Sequence, residues 1–174
     1  MKEEKKAQEK KSPGIAGLVI ATILVAALLK TYIIDIQRVS GTSMEPAIPD
    51  GSLIVLSKIH YGFYNPSGDT LRKQWKTPER GDVVYYWYND RPVIKRCVAT
   101  EHETLAFSTD SGYSMSVGGN TIPLTEGQYQ RLKFNSEVPE GTILAIGDNY
   151  ASSIDSRDYG FISVASIMGK VLWQ

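Results

Sequence analysis

The stretch from Gly14 to Ile34 limits most strongly what this chain can become. Gly14 to Leu29 is sixteen residues without a charge; Lys30 interrupts, and Thr31-Tyr32-Ile33-Ile34 resumes the run. A helix that crosses a bilayer takes roughly 20 predominantly apolar residues. Gly14–Ile34 reaches that length if the Lys30 stem carries its amine to the headgroups and Tyr32 lies at the interface. Before it, Lys2, Lys5, Lys6, Lys10 and Lys11 stand against Glu3, Glu4 and Glu9. Such a composition buries no core and predicts a disordered tail. A lysine-rich flank predicts a cytoplasmic N-terminus, with all that follows the span outside. Two other readings compete: a cleavable signal peptide, with Val25-Ala26-Ala27 resembling a cleavage site, and the buried helix of a soluble protein. Length and flank favour a single-pass anchor in the cytoplasmic (plasma) membrane. The expected organisation is a basic tail over 1–13, an anchor over 14–34 and an extracytoplasmic domain over 35–174.

Those last residues, about 140 of the 174, suffice for one core. From Asp35 the periodicity shortens. Ile36–Val39 alternates, and Ser52–Leu56 follows the turn Pro49-Asp50-Gly51. Residues 59–81 form a long loop with Gly62, Asn65-Pro66-Ser67-Gly68 and Pro78, in which Tyr61, Phe63, Tyr64 and Trp75 are exposed or dock on something. Val83–Tyr88 is dense in β-formers, and Asn89-Asp90 turns it into Pro92–Ala99. Thr104–Phe107, Gly112–Val117 and Thr121–Leu124 are short segments between turns; Thr142–Ile146 reads as a buried strand, and Ile167–Trp173 closes the chain. No long amphipathic helix follows residue 35. Many short strands with regular turns predict an all-β domain, an antiparallel sandwich or barrel.

Composition removes several classes. Nineteen basic and 19 acidic residues leave no net field, and no basic stripe interleaves with aromatics, so nucleic acid is not an expected partner. One cysteine excludes an internal disulfide framework and a cysteine-rich metal site. His60 and His102 sit in unrelated segments without ligand spacing. No metal and no cofactor are expected.

The chemistry lies in Gly41-Thr42-Ser43-Met44-Glu45-Pro46 and in Val93-Ile94-Lys95-Arg96-Cys97-Val98-Ala99. A serine hydroxyl is a poor nucleophile until a base takes its proton. No histidine stands in a suitable motif. Lysine serves as base when burial keeps it neutral. Alternation puts Val93, Lys95 and Cys97 on one strand face and Ile94, Arg96 and Val98 on the other. An inward lysine is costly unless it has a use. Taken singly, Ser43 reads as a turn serine, Lys95 as a solvent-facing strand residue, and Asp155 with Arg157 as a surface pair.

Together, four blocks resemble those of the bacterial type I signal peptidases. Gly41–Pro46 looks like their serine box, and Arg80-Gly81-Asp82-Val83-Val84 is similar to the next strand box. Val93–Ala99 matches the lysine box. Gly147-Asp148-Asn149 through Ser153, Asp155, Ser156, Arg157 and Gly160 matches the last. The resemblance runs from the anchor to the C-terminus. It implies an all-β serine endopeptidase domain outside the membrane, cutting signal peptides from exported preproteins near lipid and the secretion translocon. By box position it implies Ser43 as nucleophile and Lys95 as the general base that later protonates the leaving amine. Ser153 would hydrogen-bond and orient the Lys95 amine; Asp155 and Arg157 would pair, and Asp148 would support the block, pairing with Arg96. The Ser43 N–H is the first oxyanion donor. Some members place a serine hydroxyl two residues before the nucleophile as the second. That position is Gly41 here, as in Gram-positive relatives, so a backbone group, the Thr42 hydroxyl or water would substitute.

About eight residues separate Ile34 from Ser43, at most ~30 Å of extended chain, which places Ser43 near the outer membrane surface. Met44, expected to be exposed, and some loop aromatics would then dip into the interface; otherwise they pack in the core. Substrate would bind extended on a sheet edge, with small side chains before the cut. A non-catalytic or specialised relative serving pilus or conjugation assembly is the alternative; Ser43 and Lys95, both present, weigh against a non-catalytic form. A self-cleaving regulator would need a DNA-binding domain that residues 1–34 do not supply. A Ser-His relative would need histidine at position 95. The short interval Thr100–Ile146 lacks the insertions of larger relatives.

Overall fold

In the computed structural model, residues 14–64 and 71–173 are described. The expected tail over 1–13 and the turn at Asn65–Gly68 lie outside the described residues. Helix α1 (Ile15–Tyr32) accounts for nearly all of the apolar run, with Lys30 in its last turn, where a cation complements the negative end of the helix. No residue of α1 is buried. Among the described residues nothing covers this helix, which speaks against the buried-helix alternative. By length and composition α1 is long and apolar enough to cross a membrane.

The rest is dominated by antiparallel strands, as the periodicity predicts. Strands β1 (Ile34–Arg38), β2 (Leu53–Ser57), β3 (Gly62–Tyr64), β4 (Leu71–Gln74), β5 (Val83–Tyr88) and β6 (Arg91–Thr100) come first. Then come β7 (Ala106–Ser108), β8 (Ser114–Val117), β9 (Asn120–Pro123) and the helix α2 (Glu126–Leu132). The chain ends with β10 (Thr142–Ile146), helix α3 (Ser156–Tyr159), β11 (Ile162–Ser163) and β12 (Ile167–Trp173). The main sheet has seven strands in the order β1-β2-β12-β5-β6-β10-β11, leaving β1 and β11 as edges; β3-β4 and β7-β8-β9 form two small sheets. Asn89 and Asp90, at φ 48° and 57°, make the tight β5–β6 turn, whose twist matches that of the strands it joins.

Three apolar clusters support this sheet. Val39, Met44, Ile48, Ile54, Leu56, Val83, Tyr85 and Val171 pack under the β1–β2 end. Tyr61, Val84, Tyr86, Cys97, Ile143, Ala145, Val164 and Ile167 fill the opposite side of the central strands. A third cluster joins the β7–β9 sheet and α2 to the far end of β6 and β10. On β6, Lys95, Cys97 and Ala99 are buried while Ile94, Arg96 and Val98 are half-buried, the alternation expected from sequence.

Two expectations change. The 59–81 loop contains the β3–β4 pair, and its aromatics divide: Tyr61 is buried, Phe63 and Trp75 are exposed. Tyr61 is drawn inward because its hydroxyl donates to the buried Asp82 carboxylate at 2.8 Å, and Asp82 also pairs with Lys170 of β12. Met44 is fully buried rather than exposed. Burying such a side chain contributes about 1.5–3 kcal/mol, so an apolar residue one position past a surface serine turns inward when a core lies beneath it.

Candidate active site

Ser43 is held by the residues on either side of it. Gly41 has φ +106°, a conformation that side chains disfavour, and its N–H donates to Asp50 Oδ1 at 2.8 Å. On the other side Met44 is anchored in the core, and its carbonyl accepts the Ile48 N–H at 2.8 Å. The serine between them is half-buried, at the end of the path that leaves β1.

Lys95 reaches it from the middle of β6. Its Nζ stands 2.8 Å from Ser43 Oγ, and the residue is 4 % exposed. Burial pushes the amine below the usual lysine range; the charges of Asp155 and Asp148 oppose this, and that of Arg157 adds to it. Burial thus favours the neutral form of the amine, and a neutral amine in contact with a hydroxyl can accept its proton.

Behind the pair lies the segment after β10. Asp155 caps α3, and all four of its acceptor positions are used. Oδ1 accepts Arg157 N–H at 3.1 Å and Arg157 Nε at 2.9 Å; Oδ2 accepts Gly147 N–H at 3.0 Å and Arg157 Nη2 at 2.9 Å. Both partners are buried, so this is not the surface pair that the residues suggest singly. Arg157 Nη2 also donates to the carbonyls of Tyr150 and Ser153, at 3.0 and 3.3 Å, which ties down the whole turn. Asp148 takes a two-pronged contact from Arg96, Nε at 2.8 Å and Nη2 at 2.7 Å, and Arg96 reaches on to Gly81 O at 2.9 Å. The Asn149 N–H donates to Ser43 O at 3.0 Å, joining the last block directly to the serine turn.

Ser153 departs from expectation. It is buried, but among the described residues its hydroxyl has no hydrogen-bond partner, so the contact to Lys95 is not formed. Its Oγ instead faces Gly147: a Cβ there would fall 2.2 Å from it and 2.5 Å from Ser43 O. The absence of a side chain at Gly147 lets the serine turn and the Ser153 turn approach this closely.

Among the described residues the Ser43 N–H donates to no protein acceptor. Gly41 has no side-chain donor, and the Thr42 hydroxyl is 3.2 Å from Ser152 Oγ. That Thr42–Ser152 contact carries no local sequence signal, since 110 positions separate the partners. Beside the pair runs a cleft of ≈ 160 Å³, lined by Gln37–Ser40 at the end of the edge strand β1 and just beyond it, by Pro92–Lys95 and by Ser43, Ile54 and Tyr85.

A family model for signal peptidase, peptidase S26, matches residues 14–174. The chain is 26% identical over 166 residues to a signal peptidase I of Bacillus caldolyticus, an alignment covering 86% of this chain and 83% of that protein. It is 26% identical over 164 residues to mitochondrial inner membrane protease subunit 1 of Xenopus tropicalis, covering 92% and 80% of the two chains. A solved signal peptidase I from Enterococcus faecalis V583 is 27% identical with a TM-score of 0.39, covering 55% of this chain and 97% of that one. With the match running from the start of the apolar helix to the last residue, this chain belongs to the signal peptidase family of peptidases, peptidase S26.

Proposed function

We propose that this protein is a membrane-anchored serine endopeptidase that removes signal peptides from exported preproteins, with Ser43 as nucleophile and Lys95 as general base. The observation that carries the assignment is the 2.8 Å approach of a buried lysine amine to the Ser43 hydroxyl. Lys95 takes the hydroxyl proton as Ser43 Oγ attacks the scissile carbonyl, then delivers it to the leaving amine. It next activates the water that hydrolyses the acyl-enzyme. The uncommitted Ser43 N–H faces the developing oxyanion; a second donor comes from the backbone, Thr42 or water.

Asp155, Arg157 and Asp148 hold the turn that backs the pair. Ser153, buried with an unpaired hydroxyl, orients the Lys95 amine once substrate excludes water. The cleft beside β1 takes the substrate as an extended strand, because β1 is a sheet edge with no strand on its outer side among the described residues. Its small volume suits the small side chains that precede the cut. Helix α1 anchors the chain in the cytoplasmic membrane, with the lysine-rich tail inside and the domain over 35–174 outside.

The test is cleavage of a preprotein by the detergent-solubilised protein beside Ser43→Ala and Lys95→Ala. Product from the unchanged chain only, cut after a small-x-small sequence, is the expected result. Near-normal turnover by Lys95→Ala would overturn the Ser-Lys assignment. Intact preprotein in every lane, with folded protein, would overturn the peptidase reading.

A further inference from the structure

The joint between helix and domain is short and heavily bonded. Helix α1 ends at Tyr32 and β1 begins at Ile34, so a single residue separates them. Lys58, the first residue beyond β2, reaches back across this joint. Its Nζ lies 3.2 Å from the Lys30 carbonyl, 3.5 Å from the Thr31 carbonyl and 3.0 Å from Asp35 Oδ2. Its backbone N–H donates to Ile33 O at 2.8 Å. The last carbonyls of a helix have no partner within it and carry its negative end, so an ammonium group there satisfies both needs. Gln37 Nε2 holds the same Asp35 oxygen at 3.2 Å. Burial pushes the Asp35 carboxyl up, but the bonds from Lys58 and Gln37 and the Lys58 charge outweigh it and keep the group below its usual range. From a third segment, Phe63 stacks on Tyr32 with ring centroids 6.0 Å apart and planes at 10°.

The connection continues to the serine. Strands β1 and β2 pair without a break from Ile34↔Ser57 to Arg38↔Leu53. Val39 then exchanges bonds with the next turn, its N–H to Ser52 O at 2.9 Å and its carbonyl from Gly51 N–H at 3.0 Å. A hydrogen-bonded ladder thus runs from the helix end to the turn bearing Ser43. A flexible linker would have joined anchor and domain at little thermodynamic cost; this chain has a bonded joint instead.

We propose that Lys58 is a positioning residue that clamps the end of α1 to the β-domain, setting the height above the membrane at which Ser43 meets a membrane-held substrate. This rests on the peptidase function proposed above. A bilayer-spanning preprotein presents its scissile bond at a height set by the spacer after its apolar segment. A clamped enzyme therefore selects one spacer length, and an unclamped one accepts many. A soluble peptide has no such constraint and does not sense the clamp.

The experiment uses the full chain in vesicles of phosphatidylethanolamine and phosphatidylglycerol. Its substrates are preproteins whose spacer between apolar segment and cleavage site is varied residue by residue, and a soluble peptide with the same site and no apolar segment. The unchanged protein is expected to show a sharp optimum in spacer length. Lys58→Met flattens that optimum and loses about tenfold or more at its peak, the scale of a misplaced reacting group, while soluble-peptide turnover is unchanged. Lys58→Arg restores the peak, and Phe63→Ala, which leaves the ion pair intact, broadens it in the same sense. An unaltered spacer profile in both Lys58→Met and Phe63→Ala overturns the clamp. So does a parallel loss on peptide and preprotein, which would make Lys58 structural only. Failure of the unchanged protein to cut either substrate overturns the peptidase function, and the clamp with it.

Discussion

Replacing Gly147 by alanine isolates the contact that brings the two halves of the site together. Gly147 does not have a positive φ, so alanine meets no backbone penalty there. The added Cβ, however, would lie 2.2 Å from Ser153 Oγ and 2.5 Å from the Ser43 carbonyl oxygen. Ser153 can rotate its hydroxyl away, but Ser43 O is main chain and is bonded to the Asn149 N–H. To reach an ordinary contact of ~3.5 Å, the serine turn has to retreat by about 1 Å. Overpacking of this kind costs about 1–3 kcal/mol of stability. A displacement of about 1 Å at a reacting group costs on the order of a hundredfold in rate. The assay pairs thermal unfolding with kcat/KM on a preprotein. Gly147→Ala should lower Tm by several degrees and kcat/KM by about two orders of magnitude, mostly in kcat. The control is Gly127→Ala in α2, where a Cβ meets nothing within 4 Å. It should stabilise by about 0.5–1 kcal/mol and leave cleavage unchanged. Full activity and an unchanged Tm in Gly147→Ala would refute the reasoning that the bare Cα sets the serine's position.

The rate should rise with pH through a lysine pKa below the ordinary range, because Lys95 must lose its proton before it acts as base and burial favours that loss. Asp148→Asn removes a charge that raises this pKa, so the acid limb of kcat/KM should move to lower pH; a shift the other way would contradict the placement of Asp148. Arg157→Met leaves the Asp155 carboxylate buried with backbone donors alone, and should cost about 3–5 kcal/mol in urea unfolding; a loss below about 1 kcal/mol would contradict a buried pair. Ser153→Ala should lower cleavage while leaving Tm unchanged or slightly higher, since its hydroxyl gives up no hydrogen bond among the described residues. A clear fall in Tm would show a partner that the structure lacks.

Much of the architecture is legible before any coordinates. Apart from β3 and β4 within the expected loop and the two-residue β11, the strands from Ile34 to Trp173 follow alternation and turn residues to within a few positions, because a period of two and a tight turn are local properties of the chain. Helix α2 is the clearest omission. Its signal is present as a capping box, Thr125 with Gln128, but the helix has only seven residues and contains Gly127, so no amphipathic period develops. Asp155 with Asp158 is a second such box, hidden within a motif that draws attention to its charges. Met44 shows the limit of local inference. Next to a serine in a turn it reads as exposed, yet it is buried by Val39, Ile48, Ile54 and Leu56, which come from either side of the turn.

The site divides in the same way. Sequence by itself determined the apolar span, because membrane thickness converts directly into residue count. It determined the inward face of β6, because side chains alternate along a strand. The order of the four blocks names the residues that meet. Only the tertiary structure decided how they meet. Lys95 comes within 2.8 Å of Ser43 across 52 positions. Asp155 and Arg157 become a sealed pair rather than a surface one. The Ser153 hydroxyl turns to Gly147 instead of the amine, and Lys58 crosses from the end of β2 to the helix. Burial and distance between remote segments are set by the packing of the whole sheet, and no local pattern encodes them.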